Sequence, residues 1–305
     1  MLNGDAIVPA SSHYKILKEV FLMQNDRKLI INAALTGLVP QKADTPYVPI
    51  TIDEIVKDGI LCYKAGASML HIHARHENGK PAYEKEIYKE ILSGIREACP
   101  NVVIAVTTSY RVHKDFDCRT EVLSLEGSAK PDMASLTLGS LNFRNSVSIT
   151  EPAEIQRLIS IMKERDIKPE IELFDSGMVN YLSYLIRKKI LEFPIYANFI
   201  LGNIATAQAS VSDVAYLVNM LPEGVIWGGA GIGVNQLMAN ASAIIMGGHV
   251  RVGLEDNLYY DMAKTELATN EQLVKRVVEI AKLFQREIAD PLYVRNLLGL
   301  NSNIS

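Results

Sequence analysis

Two histidines two residues apart, His71 and His73, are the first residues in this sequence whose spacing suggests chemistry. On an extended chain that spacing sends both imidazoles to one face. They end the apolar, β-rich run Ser68-Met69-Leu70-His71-Ile72-His73-Ala74, ahead of the polar stretch His76-Glu77-Asn78-Gly79-Lys80-Pro81. Paired imidazoles suit zinc, iron or copper better than magnesium. Two hydrogen-bonded strand histidines are the plainer reading, and the spacing by itself does not separate the two. A second run, Gly247-Gly248-His249-Val250-Arg251-Val252-Gly253-Leu254-Glu255-Asp256-Asn257, offers a third ligand. Strand alternation groups His249, Arg251, Gly253 and Glu255 on one face and turns Asp256 elsewhere. Glu255 with His71 and His73 would make a three-ligand site with a position open for substrate. Asp256 is then left as a general base near the cation. An acidic cap on a following helix is the competing explanation of the pair.

Further polar groups fall at the ends of other apolar runs: Thr36, then Thr107, Thr108 and Ser109, then Ser135 and Thr137, then Glu172 and Asp175. Hydroxyls there can bind carboxylate or carbonyl oxygens, although singly each reads as well as a strand-end or cap residue. The run Gly228-Gly229-Ala230-Gly231-Ile232-Gly233 suggests a backbone cradle for phosphate, with Gly229 and Gly231 as candidates for a diphosphate-bearing cosubstrate. Its surroundings do not fit a dinucleotide fingerprint.

These groups need a scaffold that brings strand ends together. From Lys28 onward, short β-rich runs alternate with segments of helical period. Strands are predicted at 29–34, 68–74, 102–108, 132–137, 170–174, 195–201, 225–230 and 249–254. Helices are predicted among them at 52–65, 83–98, 152–165, 178–189, 211–221 and 270–286. Eight βα units predict a closed α/β barrel, the (β/α)8 TIM barrel, whose sites form at the C-terminal ends of the strands. The barrel is expected as one catalytic domain over 28–305, with residues 1–27 as an N-terminal extension.

Composition narrows the classes. The chain has 305 residues, 48% hydrophobic and 22% charged, with a formal net charge of -4. That balance gives no electrostatic footprint for nucleic acid or an anionic membrane. No apolar run reaches the roughly 18 residues a membrane span needs, and the first residues show no signal-peptide pattern. The three cysteines, Cys62, Cys99 and Cys118, lack CxxC spacing, which favours a reducing, cytoplasmic setting.

The sequence also resembles the β-keto acid cleavage enzymes. The resemblance rests on Ala33-Ala34-Leu35-Thr36-Gly37, Ala43-Asp44-Thr45-Pro46, Pro49-Ile50-Thr51, His71-Ile72-His73, Lys130-Pro131-Asp132-Met133-Ala134-Ser135, Leu141-Asn142-Phe143, Ser176-Gly177-Met178-Val179 and the run from Gly247 to Asn257. Together these span nearly everything after Lys28. The resemblance implies zinc held by His71, His73 and Glu255, and an exchange in which a β-keto acid and acetyl-CoA yield acetoacetate and a new acyl-CoA by a retro-Claisen route. It implies Asp256 as the base, Arg251 steadying carboxylate or oxyanion charge, and substrate-binding hydroxyls at Thr107 and Ser135; Thr108, at the same strand end as Thr107, is a further substrate-binding candidate from its position alone. It also implies a homo-oligomer, dimer or tetramer. Relatives that cleave an amino-bearing keto acid place a glutamate where this chain has Val39, which predicts a neutral or more apolar substrate tail here. A barrel aldolase or lyase working without CoA is the alternative enzyme, and a catalytically silent metal- or acyl-CoA-binding protein the alternative outside enzymology.

Overall fold

The computed structural model describes residues 28–301 apart from 110 and 145, so the extension expected over 1–27 lies outside the described residues. Eight parallel strands close into a barrel in the order β1-β10-β9-β8-β7-β4-β3-β2. They are β1 (Ile31–Ala34), β2 (Met69–Ile72), β3 (Val103–Val106), β4 (Met133–Thr137), β7 (Lys168–Leu173), β8 (Tyr196–Leu201), β9 (Ile226–Gly231) and β10 (His249–Val252). Each of the eight predicted strands has its counterpart here, and the chain forms the single-domain (β/α)8 barrel expected from the alternation.

The helices α1 (Ile52–Ala65), α2 (Lys85–Ala98), α4 (Pro152–Glu164), α5 (Ser176–Arg187), α6 (Val211–Met220), α7 (Asn235–Ile245) and α8 (Asn270–Leu283) cover the barrel, while α3 (Phe116–Thr120) is a short turn after β3. Local sequence starts them. Thr51 accepts from Glu54 N and Glu54 returns the bond to the Thr51 backbone, a reciprocal cap that recurs with Thr269 and Gln272 at α8. Outward-facing Leu70, Ile72, Ile104, Val106, Ala134 and Leu136 pack under these helices in the main core.

Two features were not foreseen. A β-hairpin, β5 (Leu141–Phe143) and β6 (Ser146–Ser148), is inserted after β4. A last helix, α9 (Pro291–Leu298), brings Val294 and Leu298 against Ile30, Met69, Val103, Met133, Tyr196 and Ile226. This apolar layer fills the lower interior of the barrel. One step up each strand the inward residues turn polar, with Asn32, His71, Glu170, Asn198 and Arg251 almost fully buried. Layered packing therefore seals the bottom and leaves the polar layer open only toward the C-terminal strand ends.

Candidate active site

Period two carries His71 on β2 and His73 just beyond it to the same interior face, and their Nε2 atoms lie 3.2 Å apart. Glu255 follows β10 in a turn fixed by its N–H to Ala34 O, 3.2 Å. Its Oε1 is 3.3 Å from His73 Nε2 and its Oε2 is 3.8 Å from His71 Nε2. One ligand atom from each of the three residues can be chosen so that all lie within 4.8 Å of one another. Two imidazole nitrogens this close need a proton or a cation between them. Glu255 Oε2 is buried without a hydrogen bond, so a carboxylate oxygen stands unpaired where the donor atoms converge. Nitrogen, nitrogen and carboxylate oxygen are a donor set that fits a divalent ion such as zinc.

The surroundings orient these groups. His71 Nδ1 lies 2.6 Å from Glu170 Oε2, while Glu170 Oε1 accepts from Asn32 Nδ2 at 2.6 Å and Asn198 Nδ2 at 2.8 Å. Four strands thus converge on one buried carboxylate. Burial works against a charge on His71, but Glu170 outweighs it and the imidazole pKa is raised. At Glu170 burial is likewise outweighed, by His71, and its carboxyl is lowered. Burial lowers His73, against the pull of Glu255. The second sphere around a metal-binding histidine has this form, because a carboxylate on Nδ1 fixes the tautomer that points Nε2 at the ion.

Arg251 joins this layer to the rest of the site. Its Nη2 donates to Glu255 Oε1 at 2.7 Å, its Nε to Asp256 Oδ2 at 3.1 Å and its Nη1 to Glu172 Oε1 at 3.3 Å. Thr137 donates to the other Glu172 oxygen at 2.6 Å. Burial and then Glu255 push the Asp256 carboxyl up to about 6 although Arg251 opposes them. Glu255 stays well below the carboxylate range, because Arg251 and the two histidines overcome its burial. Two adjacent carboxyls are thereby driven apart in acidity, which lets one stay charged while its neighbour exchanges a proton. A cavity of about 460 Å³ opens over His73, Glu172, Arg251, Glu255 and Asp256.

The sequence that builds this barrel is matched by known proteins. The pattern of the beta-keto acid cleavage enzyme family matches residues 28–300. The chain belongs to the beta-keto acid cleavage enzyme family. It is 40% identical to a 3-keto-5-aminohexanoate cleavage enzyme of Fusobacterium nucleatum, over 90% of this chain and 98% of that protein. It is 35% identical to a 3-oxoadipate:acetyl-CoA acetyltransferase of Cupriavidus necator, over 90% of this chain and 95% of that one. Among solved structures, the apo structure of ObcA shares the fold with a TM-score of 0.77 at 19% identity, covering 85% of this chain and 66% of that chain.

In this member of the beta-keto acid cleavage enzymes the expected hydroxyls divide. Thr107 lines the cavity. Thr108 and Ser135 instead lock β3 to β4: Thr108 N donates to Ser135 Oγ at 3.1 Å and Thr108 Oγ1 to Ser135 O at 2.6 Å. Thr36 donates to Pro49 O, and Asp175 caps α5. Gly229 and Gly231 lie within β9 rather than in a turn after it. A Cβ on Gly229 would stand 2.8 Å from Ala243 Cβ, and one on Gly231 would stand 2.4 Å from Asn235 O. Close approach of α7 to the barrel therefore accounts for glycine at both positions, and the glycine of the run that lines the cavity is Gly233. Val39 lines the cavity and is half exposed. His249, grouped with Arg251 by alternation, lies at the lower end of β10, where its Nδ1 accepts from Ile30 N at 3.1 Å.

Glu170 and Asn198 were not singled out in the sequence. The signal for Glu170 was present in Glu170-Ile171-Glu172, which repeats on β7 the period-two pattern of the histidines on β2. Asn198 carries no comparable signal. Among the described residues no helix is long and apolar enough to cross a membrane.

Proposed function

We propose that this enzyme exchanges acyl groups between a β-keto acid and acetyl-CoA, releasing acetoacetate and a new acyl-CoA. The observation that carries the reading is the joining of two assemblies by Arg251: the His71–His73–Glu255 donor set, which meets the cavity through His73 and Glu255, and the Asp256 carboxyl on the same cavity share one guanidinium through Glu255 and Asp256. Relatives named as acetyl-CoA transferases of β-keto acids, among them the 3-oxoadipate:acetyl-CoA acetyltransferase, support the same reaction class.

His71, His73 and Glu255 would hold a divalent ion, in our reading zinc, which supplies Lewis-acid polarisation of the substrate oxygens. Asp256 takes a proton from the carbon between keto and carboxylate groups, and Arg251 holds that carboxyl in place at Nε. The carbanion forms a carbon–carbon bond to the acetyl thioester and CoA thiolate leaves. The thiolate then adds to the original keto carbon, the older carbon–carbon bond breaks, and the departing carbon keeps the electron pair and takes back the proton from Asp256, giving acetoacetate. Thr107 offers a hydroxyl on the cavity wall for the oxygens on which charge develops. The apolar floor beneath the polar layer keeps water from approaching from below. The reading places the reaction in the cytoplasm, a reducing setting that suits three unpaired cysteines.

The test is incubation of metal-loaded protein with acetyl-CoA and a panel of β-keto acids, measuring acetoacetate and acyl-CoA. Consumption of keto acid at the same rate without acetyl-CoA would replace exchange by an aldolase-type cleavage.

A further inference from the structure

The cavity contains a second buried-edge arginine that the exchange chemistry does not use. Arg111, in the loop after β3, lines the same cavity as His73 and Glu255. Its guanidinium centre lies 3.9 Å from the centroid of the Phe143 ring, and its Nε donates to Ser146 Oγ at 2.8 Å. The stacking fixes the plane of the group and the Nε bond fixes its rotation. Both contacts come from the hairpin β5–β6, so this insertion presents the arginine. Among the described residues, Nη1 and Nη2, the two ends of the fork that grips a carboxylate, have no hydrogen-bond partner and no carboxylate within ion-pair distance.

Other buried arginines are occupied. Arg251 meets three carboxylates, Arg75 donates to three backbone carbonyls, and Arg96 and Arg295 share Asp132. Burial lowers the pKa of Arg111 while Glu255 pulls it up, so the cation is partly desolvated and feels the metal-site carboxylate. A preoriented, partly desolvated guanidinium without a counterion is incomplete until an anion binds.

Resting on the exchange reading above, we infer that Arg111 grips a second carboxylate at the far end of the β-keto acid, so that the preferred substrate is a dicarboxylic β-keto acid. Val39, which also lines the cavity, brings no competing charge, and the lining carboxylate outside the Arg251 cluster, Asp44, already accepts from Gln41 N at 2.9 Å. The neutral tail expected from Val39 alone thus becomes an anionic one. The phosphates of CoA lie a pantetheine arm away from the thioester, whereas Arg111 lines the cavity that holds His73 and Glu255 and is close enough to Glu255 to feel its charge. The exposed Arg144 and Lys264 are the cavity cations those phosphates meet first.

The experiment compares the metal-loaded wild type with Arg111→Gln in two assays. By titration calorimetry, adipate binds the wild type at least about tenfold more tightly than hexanoate, and Arg111→Gln removes the difference by weakening adipate alone. In turnover with acetyl-CoA, Arg111→Gln lowers kcat/KM for 3-oxoadipate about 100-fold, mostly through KM, and leaves 3-oxohexanoate within about threefold. Arg111→Lys recovers part of the loss, as a point charge without the fork. Equal losses on both keto acids would overturn the assignment. So would a raised KM for acetyl-CoA with every keto acid, which moves Arg111 to the CoA phosphates, or a wild-type preference for 5-amino-3-oxohexanoate, which gives the tail to Asp44. Absence of exchange with every keto acid would sink the exchange reaction alone, since the adipate preference is read without turnover.

Discussion

His71 Nδ1 and Glu170 Oε2 are 2.6 Å apart in the closed interior of the barrel, and that contact leaves Nε2 as the imidazole nitrogen that faces His73 and Glu255. With the proton kept on the Glu170 side, Nε2 presents its lone pair beside His73 Nε2. Replacing Glu170 by Gln keeps the volume and removes the charge that holds this tautomer. Metal affinity, measured by competition with a chelator, is expected to fall about 10–100-fold. Unchanged affinity would reduce Glu170 to barrel packing.

Asp256 accepts from Arg251 Nε and belongs to the cavity wall but not to the three-residue donor set. The variant Asp256→Asn should therefore retain its metal while turnover falls about 10²–10⁴-fold, the range for loss of a general base. Metal content by elemental analysis and exchange rate with a β-keto acid read the two effects separately. Retained turnover would take the base role from Asp256.

Gly231 separates a packing role from a phosphate role. Its added Cβ would meet Asn235 O at 2.4 Å and Gln236 Cα at 2.7 Å, both backbone atoms of α7 that cannot rotate away. Gly231→Ala should cost about 1–3 kcal/mol or more in stability, seen as a lower denaturant midpoint. A phosphate cradle would instead raise KM for acetyl-CoA at unaltered stability, and that result would restore the phosphate reading.

The contrast between Gly231 and His71 shows what the sequence could disclose. His71, His73, Arg251 and Glu255 were legible because strand alternation fixes which side a residue faces, and because two strand ends carried an unusual density of ionisable groups. The barrel was legible for the same reason, through eight alternations of period. Alternation does not say which neighbouring strand a residue meets. Ser135 and Thr108 spend their hydrogen bonds on each other, and Glu170 finds His71 from 99 positions away. The glycine run looked like a turn because glycine is common in both places. Its actual reason, close approach of α7, depends on a helix whose N-cap, Val234, makes no side-chain capping bond and so gives no start signal. Arg111 was passed over because its partners, Phe143 and Ser146, come from an unforeseen hairpin.

Asp58 on α1 offers a test of electrostatics outside the site. Burial raises its carboxyl to about 6, although Asn270 Nδ2, 2.6 Å away, opposes the shift. Asn270 also donates to Leu35 O and accepts from Leu254 N, so this pair braces the turn that carries Glu255. A carboxyl that is a weaker acid when folded binds more protons in the folded state than in the unfolded one between its two pKa values. Its contribution to stability is therefore present below about 4 and is lost as pH rises to about 6. A shift of this size corresponds to at most about 3 kcal/mol, and less where water reaches the group. Asp58→Asn has no such proton to lose and keeps an oxygen for Asn270. Denaturant titrations at pH 4.5 and 7 should show the variant gaining stability relative to the wild type as pH rises. A constant difference between the two proteins across that interval would show that Asp58 ionises in the folded protein as it does in the unfolded chain.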